Sequence, residues 1–524
     1  MELKQNLGRI FRLEKFRQNQ FEAMNATMAG RDVFVLMPTG GGKSLCYQLP
    51  AVCRTGETKG VTVVVSPLLA LMYDQVNALK AKGVDAVLLT SATQEGEAKE
   101  IRDRLYSASK PTLLYVTPER LKISTALNSM LSYLYRSKEL ARFVIDEAHC
   151  ISTWGQDFRE AYQGLHTLRD DFPDVPIMAL TATADPKTVD DILGRLKLKD
   201  PLVFRQSFNR PNLNYVVTSK KQKPVDEMVN FIKNSHPNET GVIYRTGRDK
   251  CEKLAQQLRQ KGLSARHYHA KMDPADKEMV QAQWQSGQCH IIVATIAFGM
   301  GIDKSDVRFV IHYDLPKNMD GYYQETGRAG RDGLPADCVL YYAYRDLQTI
   351  LKMIKDTKDP NVTKDSKERQ EQAVRAVVRY CENDSVCRRI QLLQHFGEKF
   401  DPKGCRGRCN NCANEKSLVA QDVTKEAKSV LTLVQSFEHG HENVTVDQCR
   451  AVFRGANAAS VREKRHDQHP AYGSGRDMPK ELAEMLFNRL LFLDALVEVS
   501  TQTTSKWHQQ YVKVMDFHSK CRCG

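Results

Sequence analysis

Between residues 32 and 184 the sequence passes through five short apolar stretches, DVFVLM, VTVVVSP, LLYVTP, FVIDEAH and IMALTATA, with helical spacing between them. Short apolar runs without alternation fit strands buried on both faces, and such strands belong in a parallel sheet covered by helices on both sides. A second series of five, GVIYRT, ARHYHA, HIIVAT, RFVIHY and CVLYY, follows SFNRPNL. The pattern therefore predicts an α/β protein with two parallel-sheet lobes joined near residues 200–212. After residue 345 the spacing becomes helical and charged. A linker, KDTKDPNVTKDSKERQEQ, leads to a cysteine cluster, and LVEVSTQTTSKWHQQYVKV near the end alternates like a hairpin. The expected boundaries are 1–206, 207–345, 346–416 and 417–524.

No stretch approaches the roughly 18 apolar residues of a membrane span, and MELKQNLGRIFRLEKF lacks the apolar core of a secretion signal. An intracellular protein with no membrane partner is expected. Its 14 cysteines then read as free thiols or metal ligands. A net charge of +13 favours a polyanionic partner.

MPTGGGKS, residues 37–44, lies between an apolar strand and a helical segment. Glycines let backbone N–H groups of Thr39, Gly40, Gly41 and Gly42 turn toward phosphate oxygens. Lys43 can reach the terminal phosphates and the Ser44 hydroxyl can bind Mg²⁺. Met37 stands where the strict pattern has its first glycine. FVIDEAH ends a strand in two carboxylates, with Asp146 suited to Mg²⁺ and Glu147 to orienting or deprotonating the attacking water. TAT, residues 181–183, offers hydroxyls at the end of the next strand.

The second lobe supplies counter-charge. YYQETGRAGRDG sets Arg328 and Arg331 three residues apart on one side of a helical turn. Arginines brought to a γ-phosphate by lobe closure stabilise the transferring charge. ATIAFGMGIDK reads as a strand leading into a backbone-exposing loop, from which Asp303 can sense nucleotide. Ser66, Thr117 and the TATA hydroxyls lie at strand ends on the crevice side, where they can hold nucleic-acid phosphates. HCISTWGQDFRE, directly after the carboxylates, carries Trp154 and Phe158, whose faces can stack on bases without reading sequence, and Arg159, a phosphate contact.

KGCRGRCNNC holds Cys405, Cys409 and Cys412, one ligand short of a closed zinc site. Cys381, Cys387 and Cys449 are candidates for the fourth. Cys387 opens an amphipathic stretch, where a helix N-terminus favours a thiolate. Between Pro402 and Cys412 there is no large hydrophobic residue, so metal–thiolate bonds must hold this loop.

The motifs FRQNQ, MPTGGGKS, SPLLALMYDQ, TPER, DEAH, TAT, ATIAFGMGIDK and QETGRAGRDG, in this order, resemble those of superfamily 2 DNA helicases. DEAHCISTWGQDFR resembles the RecQ family in particular, in its eukaryotic form. The resemblance covers essentially the whole chain. It implies two RecA-like lobes, a helical zinc-binding subdomain and a winged helix, and an ATP-dependent 3′→5′ DNA helicase acting in nuclear recombination and repair. It implies ATP, Mg²⁺ and Zn²⁺ as cofactors, with single-stranded and duplex DNA and repair proteins as partners. By its pattern Arg17 and Gln20 read adenine, and Leu13 occupies a position where relatives often stack an aromatic ring. The aromatic loop with Trp154 and Phe158 contacts single-stranded DNA. The zinc ligands become Cys387, Cys405, Cys409 and Cys412. FRGANAASVREKRHD resembles the duplex-contacting region, making Arg454, Arg462, Lys464 and Arg465 phosphate contacts, and the hairpin with Trp507 and His508 a modest wedge. Both lobes lie upstream of the cysteines, so basal ATP hydrolysis is expected to suffer less than DNA binding from loss of the metal.

Overall fold

The computed structural model describes all residues except 1, 153–159, 221–222, 297, 299–303, 358–361, 415–420, 494, 503–507 and 515–524. It divides into two compact units, Met1–Glu415 and Lys416–Gly524.

In the first unit the apolar runs become β1 (Val33–Leu36), β2 (Val61–Val65), β4 (Leu113–Val116), β5 (Leu140–Ile145) and β6 (Ile177–Thr181), all buried. With β3 (Ala86–Leu89) and β7 (Leu202–Arg205) they form one parallel sheet in the order β3-β4-β2-β5-β6-β1-β7. Because β5, β6 and β1 are neighbours, their C-terminal ends open side by side. Leu36 lies opposite Thr181, and the Met37 N–H donates to the Thr181 carbonyl at 3.2 Å. This register places the phosphate loop beside TAT and one strand from Asp146.

The second sheet contains β8 (Leu213–Ser219), β9 (Thr240–Tyr244), β10 (Ala265–Tyr268), β11 (Ile291–Ala294), β12 (Val307–His312) and β13 (Ala336–Tyr342). Its order is β10-β11-β9-β12-β13-β8, again all parallel. Gly241 is required in β9, since a Cβ there would collide with the Phe309 ring of β12. Strands β3, β7 and β8 lie outside the apolar runs identified in the sequence. Strand β7 is an edge strand with Leu202 and Val203 exposed, and β8 is only partly buried, so neither carries the continuous buried run that identifies the others.

Beyond β13, the helices Tyr344–Asp356, Lys364–Glu382 and Arg388–His395 carry the chain to the cysteine loop. Arg388 and Arg389 are fully buried at the start of the last of these. A buried guanidinium is tolerable only when most of its donors are satisfied. Arg388 pairs with Asp384 at 2.8 Å and donates to the Asn383 carbonyl at 3.0 Å. Arg389 donates to the Arg210 carbonyl at 2.8 Å and to Asn209 Oδ1 at 2.9 Å and lies over the Tyr215 ring, while its buried Nε has no hydrogen-bond partner. Glu398 accepts from Ser207 Oγ at 2.5 Å and from the Phe208 N–H at 2.7 Å. The zinc-binding region is therefore fastened to the linker between the sheets.

The second unit has the helices Thr424–His439, Val446–Phe453 and Lys480–Phe492, followed by an antiparallel pair, β14 (Leu496–Gln502) and β15 (His508–Val514). Thr445 and Gln448 cap the second helix reciprocally. Helices followed by a two-stranded wing make this a winged-helix domain. No described helix of the chain is long and apolar enough to cross a membrane.

Candidate functional site

The phosphate loop turns on Gly40 and Gly42, with φ of +79° and +90°, conformations that favour glycine. Met37, at the position of the missing first glycine, is buried in the core under the loop. Its carbonyl accepts from Lys43 Nζ at 3.2 Å. The departure from the strict pattern thus costs the loop nothing: the side chain enters the core and the backbone still serves the lysine. Arg17 and Gln20 meet the loop directly. The Arg17 N–H donates to Gln20 Oε1 at 2.7 Å, Gln20 Nε2 donates to the Gly42 carbonyl at 3.1 Å, and the Arg17 guanidinium donates to the Gly40 carbonyl. A Cβ on Gly42 would strike the Gln20 amide. Leu13 is 45% exposed nearby in sequence and offers no ring. Ser44 Oγ accepts from Gln75 Nε2 at 3.3 Å, and Tyr47 OH holds Gln75 at 2.7 Å. Gln75 closes the SPLLALMYDQ motif, where sequence marked the motif but not this role.

Asp146 follows β5 and is buried. Burial first, and then the adjacent Glu147 carboxylate, push its carboxyl up to about 7, with Lys43 opposing. Glu147 has a left-handed backbone, φ 49°, and its Oε2 is buried without a hydrogen bond, 3.3 Å from His149 Nδ1. Two crowded acids with an unsatisfied oxygen fit a divalent cation and a polarised water, and a cation at Asp146 would draw its pKa back down. His149 Nδ1 also lies 2.8 Å from Thr181 Oγ1. The TAT hydroxyl is thus tied to the carboxylates through His149, a link that spacing alone did not reveal.

The second lobe reaches the same loop. A Cβ on Gly40 would sit 3.6 Å from Arg331 Cγ, and one on Gly327 would sit 3.2 Å from Thr39 Cβ. Burial, with a contribution from the Arg331 charge, pulls the Lys43 pKa below its ordinary value, while Glu147 and Asp146 oppose the fall. Arg328 is placed differently. It is buried within lobe two, close enough to Tyr244 to oppose that phenol's upward shift. Arg210, in no motif, has a guanidinium that donates to carbonyls on both lobes.

Of the residues expected at DNA, Ser66 and Thr117 are buried. The Thr117 hydroxyl accepts from the Arg120 N–H at 3.3 Å and caps the helix Pro118–Ile123. Arg462, Lys464 and Arg465 are exposed together on the second unit, while Arg454 is half-buried. Trp154, Phe158, Arg159, Asp303 and Trp507 lie outside the described residues, as does the His508 side chain.

Cys387, Cys405, Cys409 and Cys412 bring their sulfurs within 4.8 Å of one another. A tetrahedron with Zn–S of about 2.3 Å has edges of about 3.8 Å, so four thiolates at this spacing fit one zinc ion. Cys387 is the N-cap of the helix Arg388–His395 and Cys409 the N-cap of Asn410–Ala413. Of the remaining candidates, neither Cys381 nor Cys449 joins this group of sulfurs.

Two RecA-like parallel sheets thus meet at one glycine loop that carries Lys43. Family models agree along the chain: DEAD/DEAH box helicase over residues 17–192, helicase conserved C-terminal domain over 220–333, RecQ zinc-binding over 344–413 and the RQC domain over 418–520. The chain belongs to the RecQ family of helicases. It is 43% identical over 512 residues to the ATP-dependent helicase SGS1 of Saccharomyces cerevisiae, covering 97% of this chain and 35% of that protein. It is 44% identical over 507 residues to the RecQ-like DNA helicase BLM of Xenopus laevis, covering 93% and 36%. It is 38% identical over 464 residues to the ATP-dependent DNA helicase Q1 of Pongo abelii, covering 88% and 69%. The chain thus spans about a third of the length of the first two. In fold it is similar to the Mycobacterium smegmatis helicase Lhr bound to ssDNA and AMP-PNP, with a TM-score of 0.52 at 16% identity, covering 95% of this chain and 75% of that one.

Proposed function

We propose that this chain is an ATP-dependent DNA helicase that moves 3′→5′ along one strand and separates duplexes during recombination and repair in the nucleus. The observation that carries the reading is that both lobes contribute to one phosphate loop, with Thr39 and Gly40 against Gly327 and Arg331, in a chain of the RecQ family. Lys43 and the loop amides hold the phosphates, Glu147 orients the attacking water, and Arg331 meets the charge that develops on transfer. Ser44 and Asp146 hold Mg²⁺, which neutralises phosphate charge. Arg17 and Gln20 read the base. Closing and opening of the lobes through each turnover moves the DNA, gripped by Trp154, Phe158 and Arg159 on lobe one and by Arg454 and Arg462 on the winged helix.

Lys43→Ala tests the site. ATP turnover is expected to fall at least about a hundredfold, with DNA affinity largely unchanged, because the variant removes a phosphate contact and leaves the DNA groove. Normal turnover would refute the phosphate-loop assignment. Displacement assays on 3′-tailed, 5′-tailed and forked DNA, with an RNA duplex as control, test polarity and substrate. Unwinding only of 5′-tailed DNA, or of RNA, contradicts the reading.

Trp154→Ala is expected to separate two activities. Single-stranded DNA should stimulate hydrolysis poorly in the variant while basal hydrolysis persists. A tryptophan that serves only as core would instead reveal itself in a stability loss of about 3–5 kcal/mol on thermal or chemical unfolding.

A further inference from the structure

Arg210 sits in the linker between β7 and β8, and its guanidinium reaches both lobes. Its Nη1 donates to the Thr39 carbonyl of the phosphate loop at 3.2 Å and to the Gly327 carbonyl at 3.4 Å. Its Nη2 donates to the Ala329 and Gly330 carbonyls at 3.0 and 2.7 Å. One planar fork therefore spans the phosphate loop of lobe one and the turn of lobe two that carries Arg331. Only a guanidinium can hold acceptors on both lobes at fixed spacing, because a lysine presents a single head group. Among the described residues no carboxylate pairs with Arg210.

The backbone of the same residue is held from the other side. The Arg210 carbonyl accepts from Arg389 Nη1 at 2.8 Å, and Arg389 also binds Asn209 Oδ1 at 2.9 Å. Arg389 is buried and lies two residues after the zinc ligand Cys387. The zinc-ligand loop adds Arg408 Nη1 to the Pro211 carbonyl at 3.1 Å. A continuous run of contacts thus leads from the cysteine cluster through Arg389 to Arg210, and from Arg210 to both walls of the nucleotide pocket.

We propose that Arg210 is a positioning residue, which sets the phosphate loop against the Arg331 turn and transmits the placement of the zinc-binding helix to the ATP site. It rests on the reading that ATP is hydrolysed at this pocket. Arg210 touches loop carbonyls, so its effect falls on how well Arg331 is placed for the transition state more than on how tightly ATP binds.

The test measures DNA-stimulated ATP hydrolysis by the full chain for wild type, Arg210→Ala, Arg210→Lys, Arg389→Lys and the double variant Arg210→Ala/Arg389→Lys. Misplacement by about 1 Å costs about a hundredfold. The expected result is therefore a kcat reduced by about that factor in Arg210→Ala, with a much smaller change in KM for ATP. Arg210→Lys is expected to behave like Arg210→Ala. The double variant is expected to be no slower than the slower single variant, since both act on one chain of contacts. Wild-type kcat in Arg210→Ala, full rescue by lysine, or a loss confined to thermal stability would overturn the positioning role. Multiplicative losses in the double variant would overturn the link to the zinc-binding helix. A wild-type protein without ATPase would instead refute the reading of the pocket.

Discussion

Replacing Arg331 by alanine is expected to lower ATP turnover about a thousandfold or more, the range set by arginines that act on transferring phosphoryl groups, while the KM for ATP moves far less. Arg331 approaches the loop from the opposite lobe, with its Cγ 3.6 Å from a Cβ built on Gly40. Its best contact forms when the lobes close, so its loss raises the transition state more than the bound state. Steady-state kinetics with and without single-stranded DNA measure this split, and a loss confined to KM contradicts it. Arg328 is the comparison. It was grouped with Arg331 on spacing, but it is buried within lobe two, only 5% exposed. Arg328→Ala should therefore lower the melting temperature as well as turnover, because it removes a packed side chain.

Cys409→Ser is expected to release zinc and to destabilise more than its own loop. Structural zinc contributes on the order of 10 kcal/mol to folding of small metal-held units, and this loop has little apolar surface to replace it. The sequence leads one to expect that basal ATP hydrolysis suffers less than DNA binding, because both lobes lie upstream, but the zinc loop also touches lobe two. Cys409 forms a parallel bridge with Tyr215 of β8, and the Tyr215 N–H donates to the Arg408 carbonyl at 3.4 Å. Asn410 Oδ1 accepts from the Val217 N–H at 3.4 Å. The zinc loop therefore packs along the first strand of lobe two and along the linker that aligns the lobes. ATPase activity of Cys409→Ser is expected to fall together with DNA binding. Wild-type protein should carry one zinc, with these four thiols shielded from alkylation until a chelator is added. Metal-free wild type with all four thiols reactive would rule the site out.

The two-lobe α/β plan was legible because strands buried on both faces are apolar at every position, and such short unbroken runs leave a local mark. The phosphate loop, the carboxylate pair and the arginine turn were legible for the same reason: each is a short, contiguous motif whose chemistry is carried by neighbours in sequence. The edge strand β7 and the half-buried β8 left no such mark.

The fourth cysteine shows where local reading stops. Sequence left Cys381, Cys387 and Cys449 open, and the RecQ pattern favoured Cys387. Only the fold, by turning the helix Arg388–His395 so that its N-cap faces the loop, brings that sulfur within 4.8 Å of the other three. Arg210 and His149 are legible only in three dimensions, because their partners lie far away along the chain. Arg210 Nη2 meets Gly330 across 120 residues, and His149 meets Thr181 across 32. The sequence by itself determined which elements form and which chemical groups the protein owns. The tertiary structure decided which of those groups face one another, since hydrogen bonds and charges act through space over a few ångströms and register nothing about separation along the chain.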